Sequence, residues 1–224
     1  MNLKNKLTKQ LQPLIDFFEN EKVVIFDFEH SGGKKNIRRV IEIGAIVLND
    51  GTITHTINSL FGGGISNKWA LEAHGINDTQ RKGLKTFDEQ IDVAVRLFSG
   101  SILIGHNIVS SDIPILNEHL CRTGKSLEPF KIIDTQYIAK HLSKKTQYPD
   151  LKLTTLVEYY EIPKLKAHRA YSDALMNALV LIELFIDLKK YEGINTLKEL
   201  MDFDPVKNKN NTDKILEYCN MKRV

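Results

Sequence analysis

The sequence predicts an α/β fold in which a mixed central β-sheet is flanked by helices, and three observations carry that prediction. Apolar runs rich in β-branched residues occupy the first third of the chain, two of them separated by Asn49-Asp50-Gly51, a turn sequence. From Ile102 onward, short strand-like runs alternate with segments of helical spacing. A length of 224 residues suits one domain with a substantial core and short helical additions, not two large domains.

In chain order, Leu3, Leu7, Leu11, Leu14, Ile15 and Phe18 recur at the spacing of an amphipathic packing helix, with Pro13 as a point for a break or kink. Val23 to Phe28, Val40 to Leu48 and Thr52 to Leu60 read as three strands, the last two joined by the tight turn. Gly62, Gly63 and Gly64 interrupt the pattern, and Trp69 to His74 and Phe87 to Phe98 then show helical spacing. Ile102 to Ile104 reads as a buried strand, Ile113 to Arg122 as a helix with Pro114 in its first turn, Lys131 to Ile133 as a short strand and Thr135 to Leu142 as a helix. Lys144 to Asp150 reads as a loop, Leu153 to Tyr160 and Ala170 to Leu188 as helices, and 191–224 as a polar helical tail with an Asn- and Lys-rich loop at Lys207 to Asn211. A hairpin followed by strand–helix alternation is the order of ribonuclease H-like folds. The expected division is an N-terminal helix at 1–20, a main domain at 21–190 and a C-terminal helical extension at 191–224.

Composition narrows the class without revealing function. Hydrophobic residues at 42% and charged residues at 26% are ordinary for a globular protein and argue against extensive disorder. A formal charge of +3 is too small to announce a nucleic-acid partner. Cys121 and Cys219 form no CxxC pair, so neither a zinc site nor a disulfide framework is suggested. Lys4, Lys6 and Lys9 break up any apolar core of a signal peptide, and no later run approaches a membrane span, so the expected location is cytoplasmic.

Four acids call for explanation. Asp27 and Glu29 end an apolar strand one residue apart, so strand alternation turns both side chains to one face. Their repulsion and desolvation are costly unless cations neutralise them, although an isolated Asp-x-Glu also reads as a solvated strand end. Asp112 follows Gly105-His106-Asn107 at a strand-to-helix junction, where an N-cap is the simpler reading and Ser110 or Ser111 could cap instead. Asp173 lies five residues after His168, an interval that can put an imidazole in a loop and a carboxylate in the first helical turn on one site; a helix-dipole role is the alternative. Together the four match oxygen-rich magnesium or manganese coordination better than zinc.

These segments resemble the motifs of the DEDDh, or DnaQ-like, exonuclease family. They are Phe26-Asp27-Phe28-Glu29, then Gly105-His106-Asn107 leading to Asp112, then His168 with Asp173, supported by Val40-Ile41-Glu42-Ile43-Gly44-Ala45 and Ile133-Asp134-Thr135, over about residues 22 to 188. The tyrosine-bearing subclass has Tyr four residues before its last Asp; Arg169 stands there, so the resemblance implies the histidine subclass. It further implies a 3′-to-5′ exonuclease that releases nucleoside 5′-monophosphates from DNA or RNA. Two Mg²⁺ or Mn²⁺ ions would be held by Asp27, Glu29, Asp112 and Asp173, with His168 as the base that deprotonates water. Phe28, His30, Ser31, His106 and Asn107 are the expected substrate contacts, and the partner is nucleic acid with a free 3′ end, single-stranded. The chain departs from many relatives at His30-Ser31-Gly32-Gly33, at Ser111 and in a longer interval from Asn107 to Asp112, which bears on the fit of the terminal nucleotide. Lys34, Lys35, Arg38 and Arg39 could hold phosphates or form a solvated basic loop. Other readings are a catalytically weak nucleic-acid-binding subunit of a repair, replication or defence assembly, and a protein partner docked on the terminal helices.

Overall fold

A computed structural model describes residues 3–33 and 38–203. Five strands form one sheet in the order β3-β2-β1-β4-β5. They are β1 (Val23–His30), β2 (Val40–Asn49), β3 (Thr52–Leu60), β4 (Ile102–Gly105) and β5 (Lys131–Asp134). β1, β2 and β3 pair antiparallel, whereas β4 runs parallel to β1 and β5 parallel to β4. The sheet is mixed because a tight turn through Asp50 and Gly51, both left-handed, joins β2 to β3, while helices return the chain for β4 and β5.

Period-two alternation divides the sheet's side chains between two cores. Val23 and Ile25 of β1 pack with α1 (Leu3–Phe17), α5 (Thr135–Thr146), α6 (Leu153–Tyr159) and α7 (Ala170–Glu192). Val24, Phe26 and Phe28 face the other way, onto α3 (Ile91–Phe98) and α4 (Asp112–Thr123). Asp27 and Glu29 therefore continue the row that faces α7. That helix is apolar around most of its girth because it lies between the sheet and α1, where Phe17 and Phe185 rings stand 4.3 Å apart.

Local departures from the sequence expectation have simple causes. α1 runs through Pro13 without interruption, with its Leu11, Leu14 and Ile15, and Phe18 just beyond it, all in the core. α5 extends through Thr146 into the stretch read as loop, since Lys is a good helix former and Leu142 and the Thr146 hydroxyl hold the last turns; left-handed Gln147 closes it. The Phe87–Phe98 segment divides into a 3₁₀ turn at Asp88–Gln90 and α3. α7 continues to Glu192, past the expected boundary at 190, and a last helix, α8, covers Leu197–Phe203. Lys34, Lys35 and the Lys207 to Asn211 loop lie outside the described residues.

Candidate functional site

The site begins where β1 and β4 part. Their parallel pairing stops at Ile25 with Ile104, while β1 continues along β2 as far as His30. Beyond Ile25 the edge of β1 facing β4 lacks its sheet neighbour, and α4 enters the gap. Asp112, its first residue, accepts the Phe28 N–H at 2.9 Å. An acid expected as a helix cap is thus brought across to the strand carrying Asp27 and Glu29, and the Ser111 hydroxyl contacts its other oxygen. Crevices of this kind, at the carboxyl ends of strands, are where open α/β sheets build sites.

The second wall is the start of α7. Gly44 lies opposite Asp27 in the β1–β2 register, and a Cβ there would come within 1.9 Å of the Tyr171 backbone nitrogen. The missing side chain lets the helix N-terminus rest directly on β2. Asp173, in its first turn, accepts the His168 N–H at 2.8 Å. Donor atoms of Glu29, His168 and Asp173 all lie within 4.8 Å of one another. His168 is exposed, at a left-handed φ of 58° that costs a non-glycine residue about 1–2 kcal/mol.

A clamp holds that conformation. Glu42, opposite Glu29 on β2 and 0% exposed, accepts from Arg169 Nε at 3.0 Å, from Arg169 Nη2 at 2.6 Å and from the Ala170 N–H at 2.9 Å. The residue next to His168 is thereby tied to the sheet. Sequence reading placed Glu42 only in a supporting stretch; its signal was an acid inside the otherwise apolar run Val40 to Leu48.

Crowding of acids governs the electrostatics. Burial, then Asp112, Glu29 and Asp173 in turn, hold Asp27 well above the usual carboxylate range. Burial and the charges of Asp173, Glu42 and Asp112 push Glu29 up to about 8. Asp112 rises to about 7 through burial, against the bonds from Ser111 and the Phe28 N–H. Burial also raises Asp173, opposed by the His168 N–H. The nearby Arg169 is engaged by Glu42 and compensates Glu29 only weakly. A set of carboxylates that destabilise one another is what a hard divalent cation neutralises, and the oxygen-rich donors fit one.

The remaining predicted residues are placed differently. The Phe28 ring lies on the far face of the sheet, packed on Phe26, Phe87 and Phe98, so only its backbone reaches the site. The His106 ring bridges Thr135 Oγ1 at 3.0 Å and the Leu151 carbonyl at 2.8 Å, and burial lowers its pKa to about 4. Asn107 is left-handed, its N–H donated to Asp134 at 2.9 Å. Immediately after Glu29, His30 Nδ1 accepts the Gly32 N–H, and buried Ser31 bonds to Arg39 through both its backbone and its hydroxyl. Arg38 forms a 2.5 Å ion pair with buried Glu118, and Arg39 Nη1 donates to the Arg38 carbonyl.

A family profile described as Exonuclease (RNase_T) matches residues 24–181. The chain is 29% identical over 185 residues to a PolC-type DNA polymerase III of Clostridium perfringens, covering 81% of this chain and 12% of that protein. It is 25% identical over 182 residues to the 3′-5′ exonuclease DinG of Bacillus subtilis, covering 80% of this chain and 19% of that one. The chain thus spans less than a fifth of the length of these relatives. Among solved structures, Escherichia coli Exonuclease I in complex with a dT13 oligonucleotide superposes with a TM-score of 0.68 at 13% identity, over 82% of this chain and 46% of that one. A zinc-bound form of Exonuclease I with single-stranded DNA superposes at 0.64 and 15% identity, over 82% of this chain and 42% of that one.

Proposed function

The chain belongs to the Exonuclease family, and from that premise we propose that it removes nucleotides from the 3′ end of a single nucleic-acid strand, DNA or RNA, by hydrolysing the terminal phosphodiester. The observation that carries this reading is the mutual crowding of Asp27, Glu29, Asp112 and Asp173 beside an exposed His168. Asp27, Glu29, Asp112 and Asp173 would hold two Mg²⁺ or Mn²⁺ ions. When bound, these supply Lewis-acid stabilisation of the charge that develops on the phosphate and on the departing 3′-oxygen.

The chain's own groups do the rest. His168 projects its ring from a loop fixed by two carboxylates: Asp173 holds its backbone N–H and Glu42 holds the neighbouring Arg169. A free imidazole nitrogen there takes the proton of the attacking water. His30, Ser31 and Asn107, which follow Glu29 and the end of β4 along the chain, would position the terminal nucleotide, while His106 supports the turn that carries Asn107.

The test is release of mononucleotides from 5′-labelled single-stranded DNA and RNA with Mg²⁺, Mn²⁺ or EDTA, for the wild type, Asp27→Ala and His168→Ala. Metal-dependent release, shortening the strand from its 3′ end and lost in both variants, is expected. No release from either polymer with enzyme in excess would overturn the proposal.

A further inference from the structure

The stretch from the end of β3 into α2 (Lys68–His74) carries the two most exposed large apolar side chains among the described residues, Ile65 at 86% and Trp69 at 78%. An exposed tryptophan on a mobile loop would mean little, but this segment is fastened at both ends. Buried Arg81 donates to the carbonyls of Phe61 at 3.2 Å, Gly63 at 2.6 Å and Gly64 at 2.9 Å, and its charge is met by Asp78. At the other end the Asn67 N–H donates 2.9 Å to the Ser31 carbonyl, and the Asn67 side chain caps α2 through the Ala70 N–H. The approach is close enough that a Cβ on Gly32 would meet the Asn67 side chain at 2.4 Å.

Those contacts fix where Trp69 stands. Ser31 is two residues beyond Glu29 on the chain, and Trp69 is two beyond Asn67. The start of α2 is thus held against the backbone that follows Glu29, and exposed Trp69 stands on that support. Two cations belong to the same region: exposed Lys68, 3.9 Å from Glu72, precedes Trp69, and the Arg39 stem lies 3.0 Å from where a Gly64 Cβ would be. An exposed aromatic face with cations in the same region suits single-stranded nucleic acid, whose bases stack and whose phosphates seek the charges.

We propose that Trp69 is the platform on which a base of the entering strand stacks, so that the strand is gripped near its 3′ end independently of sequence. This rests on the exonuclease reading above. Trp69 is the chain's only tryptophan, so its emission reports directly on the contact.

The experiment titrates the full chain with dT10 and rU10 in EDTA. It follows tryptophan emission of the wild type and, for wild type, Trp69→Ala and Trp69→Phe, anisotropy of the same oligonucleotides labelled at the 5′ end. Saturable quenching is expected, with affinity about tenfold weaker in Trp69→Ala, as for one lost stacked base, and recovered in Trp69→Phe. A 3′-terminal stretch of abasic sites in the oligonucleotide should remove the difference between wild type and Trp69→Ala. Unchanged emission at saturation, or equal affinity of Trp69→Ala, would overturn the platform, leaving the exposed pair to a protein partner. If metal-dependent cleavage persisted in that case, the exonuclease reading would stand without it; absence of both binding and cleavage in the wild type would remove both.

Discussion

Two groups of wholly or partly buried acids lie near one another in this molecule, and only one is provided for by the protein. Glu42 has Arg169 and a backbone N–H on its carboxylate, and Asp134 accepts the N–H groups of Asn107, Val109 and Gln136 at 2.9 to 3.1 Å. Glu29, directly opposite Glu42 on the sheet, and Asp27, two residues along, have chiefly other carboxylates around them. Burial raises Asp134 as well, but its backbone donors oppose the rise. The lesson is that burial does not distinguish a structural acid from a ligand; the charge balance of its neighbours does.

The sharpest way to break that comparison is Asp27→Asn. Strand cleavage should fall on the order of 10³-fold, because several kcal/mol of charge stabilisation at the phosphate is lost. In EDTA, however, the same variant should melt at a higher temperature than wild type, since a repelled carboxylate has been neutralised. A lower melting temperature would place Asp27 with the structural acids.

Glu42→Ala should behave oppositely. It strands the Arg169 guanidinium and the Ala170 N–H, and urea unfolding should show a loss of about 3 kcal/mol, the low end for a broken buried pair because Arg169 is partly exposed. Cleavage should fall too, as the loop carrying His168 loses its anchor. A change under about 0.5 kcal/mol would mean that the clamp holds nothing in place. Asp134→Ala should cost about 2 kcal/mol by the same measurement, through the lost cap of α5 and two freed N–H groups in the 107–109 turn.

The smallest effect is on pH dependence. Glu29 at about 8 and Asp112 at about 7 keep protons in the folded, metal-free protein that the unfolded chain, with ordinary carboxylates, has already released. Stability must therefore fall as pH rises through those values. His106, lowered to about 4, works the other way only below the ordinary histidine range, so the window from about pH 6.5 to 8.5 isolates the acids. In EDTA the melting temperature should drop by a few degrees across it, and added Mn²⁺ should restore it more at the higher pH. A flat profile in EDTA would show that the carboxylates are not crowded.

Much of this was legible in the sequence. Alternation along Val23 to Phe28 set Asp27 and Glu29 on one face, and the five-residue interval from His168 to Asp173 anticipated a loop imidazole beside a first-turn carboxylate, as Asp173's bond to the His168 N–H and their shared cluster with Glu29 show. Element ends were less legible: α5 continues into polar residues because their solvent-facing side chains are indifferent to the choice between helix and loop. Trp69 carried no signal, since a tryptophan at helical spacing resembles a core residue until its exposure is known.

The sequence by itself determined the order of strands and helices and the acids with their spacing, because alternation, helical period and turn chemistry are local. What the tertiary structure decided was the company each acid keeps. Glu42 and Asp27 look alike as lone acids in apolar strands. Only the approach of α7 over Gly44 brings Arg169, 127 residues along the chain, to Glu42, and Asp173 toward Asp27 and Glu29. Charge balance at a buried site is a sum over neighbours in space, and those neighbours are distant in sequence.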